Sequence, residues 1–63
     1  MPDFILADHG SVSIVTPISV EAEEWARHNI DPGAFWFGRG VAVEPRYVGD
    51  LVEGIICDGL TVG

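Results

Sequence analysis

Ten carboxylates, two histidines, three serines and one cysteine are the groups of this 63-residue chain that can do chemistry, and their spacing decides which chemistry is open. A zinc-type site needs Cys or His residues two to four positions apart. No such pair exists here, and His9 and His28 are far apart in sequence. His28 is expected to pair with Glu24 one helical turn back, and His9 to be a turn residue. Ser11, Ser13 and Ser19 lack the strand–turn–helix setting of a nucleophile elbow. Cys57 is expected near the C-terminal end of a helix, where the dipole disfavours a thiolate, so it reads as a small half-buried hydrophobe. Gly38-Arg39-Gly40 lacks the third glycine of a dinucleotide loop and reads as a turn. Carboxylates such as Asp50 and Glu53 can do acid–base work only in a cleft that perturbs them, and a solvated helix face offers none. No catalytic residue, metal ligand or cofactor is expected, and a small enzyme is the least supported of three function classes.

The acids remain. They face three arginines and no lysine, for a formal charge of −7. That balance argues against direct binding to nucleic acid or to an anionic membrane, because both require a basic footprint. A chain that needs only solubility can mix both signs. A one-signed surface instead steers a protein onto a basic partner and repels nucleic acid from it. Glu21, Glu23, Glu24, Asp50 and Glu53 are the expected partner-binding residues.

Elements to hold these groups follow from the apolar pattern. Phe4-Ile5-Leu6-Ala7 and Val12 to Thr16 read as two strands around the turn Asp8-His9-Gly10-Ser11, with Pro17 ending the hairpin. Ser19 caps a helix from Val20 to Asn29 whose first turns carry the three glutamates. On its wheel Ile18, Ala22, Trp25, Ala26 and Ile30 share one arc, Glu21, Glu24 and His28 one flank, and Glu23 and Arg27 another. Asp31-Pro32-Gly33 stops it. Ala34 to Phe37 is an aromatic strand, with Trp36 on the face opposite Phe35 and Phe37. Val41 to Val43 is a fourth strand. A second helix runs from Arg46 to Asp58, with Pro45 in its first turn and Gly59 closing it. Its row Tyr47, Leu51 and Ile55 should be buried, while Arg46, Asp50, Glu53 and Cys57 share the other half of the wheel. Leu60-Thr61-Val62 has the composition of a short last strand.

The expected fold is α+β, a single domain over residues 1–63 in the order ββαββα, with a mostly antiparallel sheet and both helices on one face. Phe4, Leu6, Ile14, Val15, Trp25, Trp36, Leu51, Val52 and Ile55 are the expected core. A domain this small buries only about 60% of the surface its open chain exposes, which leaves little for a deep substrate cavity. A lone cysteine permits no internal disulfide, which favours a reducing compartment. The start Met1-Pro2-Asp3 has no basic n-region, and no apolar run approaches a membrane span, so a cytoplasmic protein is expected.

The segment Val43-Glu44-Pro45-Arg46-Tyr47-Val48-Gly49-Asp50-Leu51-Val52-Glu53-Gly54, with Asp58-Gly59-Leu60-Thr61-Val62, resembles the C-terminal half of short proteins encoded on phages and other bacterial mobile elements. In size and acidity the chain is similar to the anti-CRISPR proteins, several of which bind a Cas surface in place of DNA. That group shares no common motif, so the resemblance assigns no residue. It implies a host bacterial cytoplasm and a Cas protein or complex as partner, a multisubunit type I complex before a single-protein effector. The expected function is therefore an acidic, DNA-mimicking, protein-binding inhibitor. The alternative is a structural or regulatory homodimer that pairs through its exposed sheet face or edge, with the acids serving only solubility.

Overall fold

The computed structural model describes residues 1–31 and 33–63. Strands β1 (Phe4–Asp8) and β2 (Ser13–Pro17) form an N-terminal hairpin, followed by helix α1 (Val20–Asn29). Strands β3 (Trp36–Phe37) and β4 (Gly40–Val43) form a second hairpin, followed by helix α2 (Pro45–Cys57). The antiparallel sheet has the order β1-β2-β4-β3. The expected ββαββα architecture is the one observed. Pro32, expected to help stop α1, lies outside the described residues.

Register decides which side chains meet. Leu6 lies opposite Val15, Val15 opposite Val41, and Val41 opposite Trp36, so these four share one face of the sheet. Phe4, Val15 and Val41 from that face join Ala22 of α1 and Ile55 of α2 in the buried cluster. Both helices therefore cover the same side. Leu6, Trp25, Leu51 and Val62 pack against the cluster while partly buried.

The last residues extend the sheet as their composition suggests. Val62 forms a parallel bridge with Phe4. Thr61 and Gly63 accept hydrogen bonds from the N–H groups of Phe4 and Leu6, and Gly63 donates to Phe4. The N–H and C=O of Phe4 thus point toward this segment and away from β2. Pro17, its cross-strand partner, is asked for no hydrogen bond there, which is why a proline can end β2 without loss.

Local chemistry sets the helix limits. The Ser19 hydroxyl accepts the N–H of Ala22 at 3.0 Å and starts α1. Helix α2 has no side-chain cap, but Pro45 opens it where a missing N–H is harmless. It closes on Gly59 at φ 84°: Gly59 donates to Ile56 and Leu60 to Ile55, the paired hydrogen bonds of a Schellman turn.

Several expected core positions prove otherwise. Ile14 follows the alternation of β2 onto the opposite face from Val15, so the two cannot share one core. Trp36 is on the inner face but on the outermost strand, and stays 38% exposed. Of the expected strand from Ala34, Trp36 and Phe37 form β3 and Phe35 still accepts the N–H of Ala42, while Ala34 donates to Asp31 in a turn. Ile18 precedes the N-cap of α1, so the helical wheel does not apply to it, and it is exposed. Tyr47 and Ile56 are exposed because the apolar half of α2 is wider than the contact so small a domain offers. Cys57 is exposed as well, rather than half-buried, on the half-wheel that it shares with Arg46, Asp50 and Glu53.

Candidate functional site

Trp25 organises the seam between the helices. Its ring meets Phe4 edge to face, with centroids 5.8 Å apart and planes at 83°. A Cβ on Gly54 would lie 3.6 Å from Trp25 Cζ2, so α2 presents a glycine where the indole lies against it. The indole N–H donates to Oδ2 of Asp58 at 2.5 Å. Around this indole Glu21, Glu24, His28 and Asp58 line an open cleft of about 380 Å³. The flank of Glu21, Glu24 and His28 read from the helical wheel is thus gathered in one place. His28 and Glu24 share the cleft without forming an ion pair.

Glu23 goes the other way. It is joined to Arg39 of the β3–β4 turn at 2.5 Å, with 68% of the Arg39 side chain and 42% of the Glu23 side chain exposed. Asp50 and Glu53 stand exposed on α2. Of the five expected binding residues, Glu21 and Glu24 therefore stand together, Glu23 is engaged, and Asp50 and Glu53 occupy the other helix. Asp58 was missed by sequence reasoning. The one signal for it was Trp25, whose N–H needs a partner when its ring is packed.

A second cleft, of about 470 Å³, opens between the end of α1, β4 and the start of α2. Ile30, Val41 and Leu51 line it, with the exposed rings of Phe35 and Tyr47 at its sides. Glu44 and Asp31 add carboxylates. Arg46 lies 4.9 Å over the Tyr47 ring and 3.5 Å from Glu44, so part of this charge is met within the chain.

Asp3 does structural work. Its carboxylate accepts from the Ser19 hydroxyl at 2.7 Å, the Thr61 N–H at 2.9 Å and the Thr61 hydroxyl at 3.2 Å. Hydrogen bonding by Ser19, and then by the Thr61 N–H, holds its carboxyl below the usual range. Among the described residues, no group of three His, Cys, Asp or Glu side chains is placed to hold a metal ion. Among the described residues, no helix is long and apolar enough to cross a membrane. In chemical terms, the surface offers carboxylates around apolar and aromatic ground, an arrangement suited to lysine and arginine side chains.

Comparison with protein-family models, curated proteins and solved structures finds no match to this chain.

Proposed function

We propose that this chain is a small acidic inhibitor that docks its helical layer on a basic, DNA-contacting protein surface, its carboxylates standing where phosphates would. One observation carries this reading. Glu21, Glu24, Asp50 and Glu53 are exposed and have no arginine partner among the described residues, while Arg39 and Arg46 are engaged by Glu23 and Glu44. The acidic excess is thus left where a partner can reach it. The resemblance to anti-CRISPR proteins makes a Cas surface the partner to test, beginning with a type I surveillance complex.

The test titrates the protein into a purified type I complex and follows binding of its target DNA. The expected result is loss of DNA binding from an intact complex, weakening as salt rises. DNA binding unchanged at saturating protein overturns the assignment to that complex. Binding that survives charge reversal on both helices overturns phosphate mimicry.

A further inference from the structure

The larger cleft, of about 470 Å³, has the make-up of a receptor for a cationic side chain. Its floor is apolar: Val41 is buried, and Ile30 and Leu51 are partly buried beside it. The exposed rings of Phe35 and Tyr47 stand at its sides. Carboxylates of Asp31 and Glu44 complete it, and the backbone fixes where each stands. Asp31 accepts the Gly33 N–H on Oδ1 at 2.8 Å and the Ala34 N–H on its carbonyl at 2.9 Å, in the turn that leads to Phe35. The Phe35 carbonyl in turn accepts the Ala42 N–H of β4 at 2.8 Å. Glu44 holds the N-cap position of α2 without a side-chain bond to the helix, so its carboxylate is not spent on a cap. The chain itself shows which group suits these partners. The guanidinium of Arg46 lies 4.9 Å over the Tyr47 ring and 3.5 Å from a Glu44 oxygen. Arg46 does not line the cleft, and 71% of its side chain is exposed, so this hold is loose.

We infer that this cleft receives an arginine side chain of a basic protein partner. Arginine lays an apolar stem along apolar surface while its charged head stays at the rim. Ile30, Val41 and Leu51 supply that surface, and the rings supply faces on which a guanidinium stacks. Asp31 and Glu44 then meet its N–H groups with charge-assisted hydrogen bonds. Charge selects against other occupants. Both carboxylates repel an acidic or phosphate-bearing group, and a purely apolar group gains nothing from them. Lysine fits less well, because its compact ammonium is strongly hydrated and lacks a plane to stack. The volume lies within the ~300–1,000 Å³ of small-ligand pockets, enough for the whole side chain with its flanking backbone. Arg46 is thus an internal competitor, which holds Tyr47 and Glu44 until the partner's arginine displaces it. Such recognition rests on the proposed function for the class of partner, a basic protein, but uses none of Glu21, Glu24, Asp50 and Glu53.

The test titrates N-acetylarginine amide into the unaltered chain at constant ionic strength and follows amide chemical shifts. Saturable changes should centre on Ile30, Ala42, Val43 and Tyr47. N-acetyllysine amide should bind more weakly, and N-acetylnorleucine amide more weakly still. Tyr47→Ala should weaken arginine binding about 2- to 30-fold, the span of one cation–π contact. Arg46→Ala should tighten it about two- to fivefold, because a surface ion pair that competes for Glu44 is removed. Both substituted side chains are exposed, and a dispersed spectrum identifies the variants that fold. Norleucine or lysine binding as tightly as arginine overturns the proposal. So do shifts that centre on Trp25, or that grow without saturating. No partner protein is present in this titration. Failure of a type I complex to bind therefore leaves an arginine result standing, and failure of the arginine titration leaves the competition with DNA standing.

Discussion

The Ser19 hydroxyl accepts the Ala22 N–H that starts α1 and donates its own proton to Asp3 Oδ1 at 2.7 Å. One hydroxyl thus fastens the helix to the entry of β1, and the other Asp3 oxygen holds Thr61. Helix start, first strand and the C-terminal segment at Thr61 meet at a single carboxylate.

That carboxylate gives a pH signature. The Asp3 pKa is depressed in the fold, so its contribution to stability is fully present above the unfolded-chain value of about 3.9 and is lost as pH falls through the lower folded value. Urea titrations at pH 7 and pH 3 should show Asp3→Asn destabilised at pH 7, with the difference from the unaltered chain narrowing at pH 3. Equal differences at both pH values would remove the assigned role. Ser19→Ala should cost about 1 kcal/mol through the lost cap.

Gly40 tests the packing of the sheet face away from the helices. Ile14 and Thr16 are β-branched and stiff at the atoms that crowd it, so neither yields easily. Gly40→Ala should destabilise by about 1–3 kcal/mol, although alanine favours no turn or bulge here and adds one methyl group. Unchanged stability in a denaturant melt would show that β2 and β4 can part without cost.

Within α2, burial ranks the apolar positions. Ile55 is fully buried and Leu51 only partly. Ile55→Ala should cost about 2–5 kcal/mol and Leu51→Ala less. A domain with marginal stability has little to lose, so the Ile55 variant is expected to populate the unfolded state at 25 °C. The reverse ranking by thermal melting would place the core differently.

Charge reversal separates the glutamates of α1. Glu21 and Glu24 face the Trp25 cleft, while Glu23 is engaged by Arg39. Glu21→Lys with Glu24→Lys should weaken binding to a basic partner much more than Glu23→Gln. Surface changes of this kind shift stability by about 0.5 kcal/mol, so the folded fraction should hold. Equal losses in a binding titration would make total charge, rather than position, the recognised feature.

Much of the fold was legible because it is locally written. Ser19 and its glutamates fix the start of α1, and Gly59 the end of α2, through bonds within a few residues. Helix periodicity also separated Glu21 and Glu24 from Glu23 correctly. Burial was read less well, since it depends on what lies above a residue. Trp36 and Tyr47 have apolar side chains on the expected sides of their elements, yet one sits on an outermost strand and the other beside an open cleft. Asp3 gains its role from partners 16 and 58 positions distant, and Asp58 from one 33 positions distant, which no local pattern announces.

The parallel bridge from Val62 to Phe4 has a consequence for biosynthesis. Synthesis runs from the N-terminus, so the β1–β2 hairpin can form long before residues 61–63 exist. Until they emerge from the ribosome, β1 shows an unpaired row of N–H and C=O groups, with Ile5 and Leu6 beside it, and a nascent neighbour on the same message can add to that row. Residues 61–63 therefore close that row, and they can do so only after every other element of the fold has been synthesised.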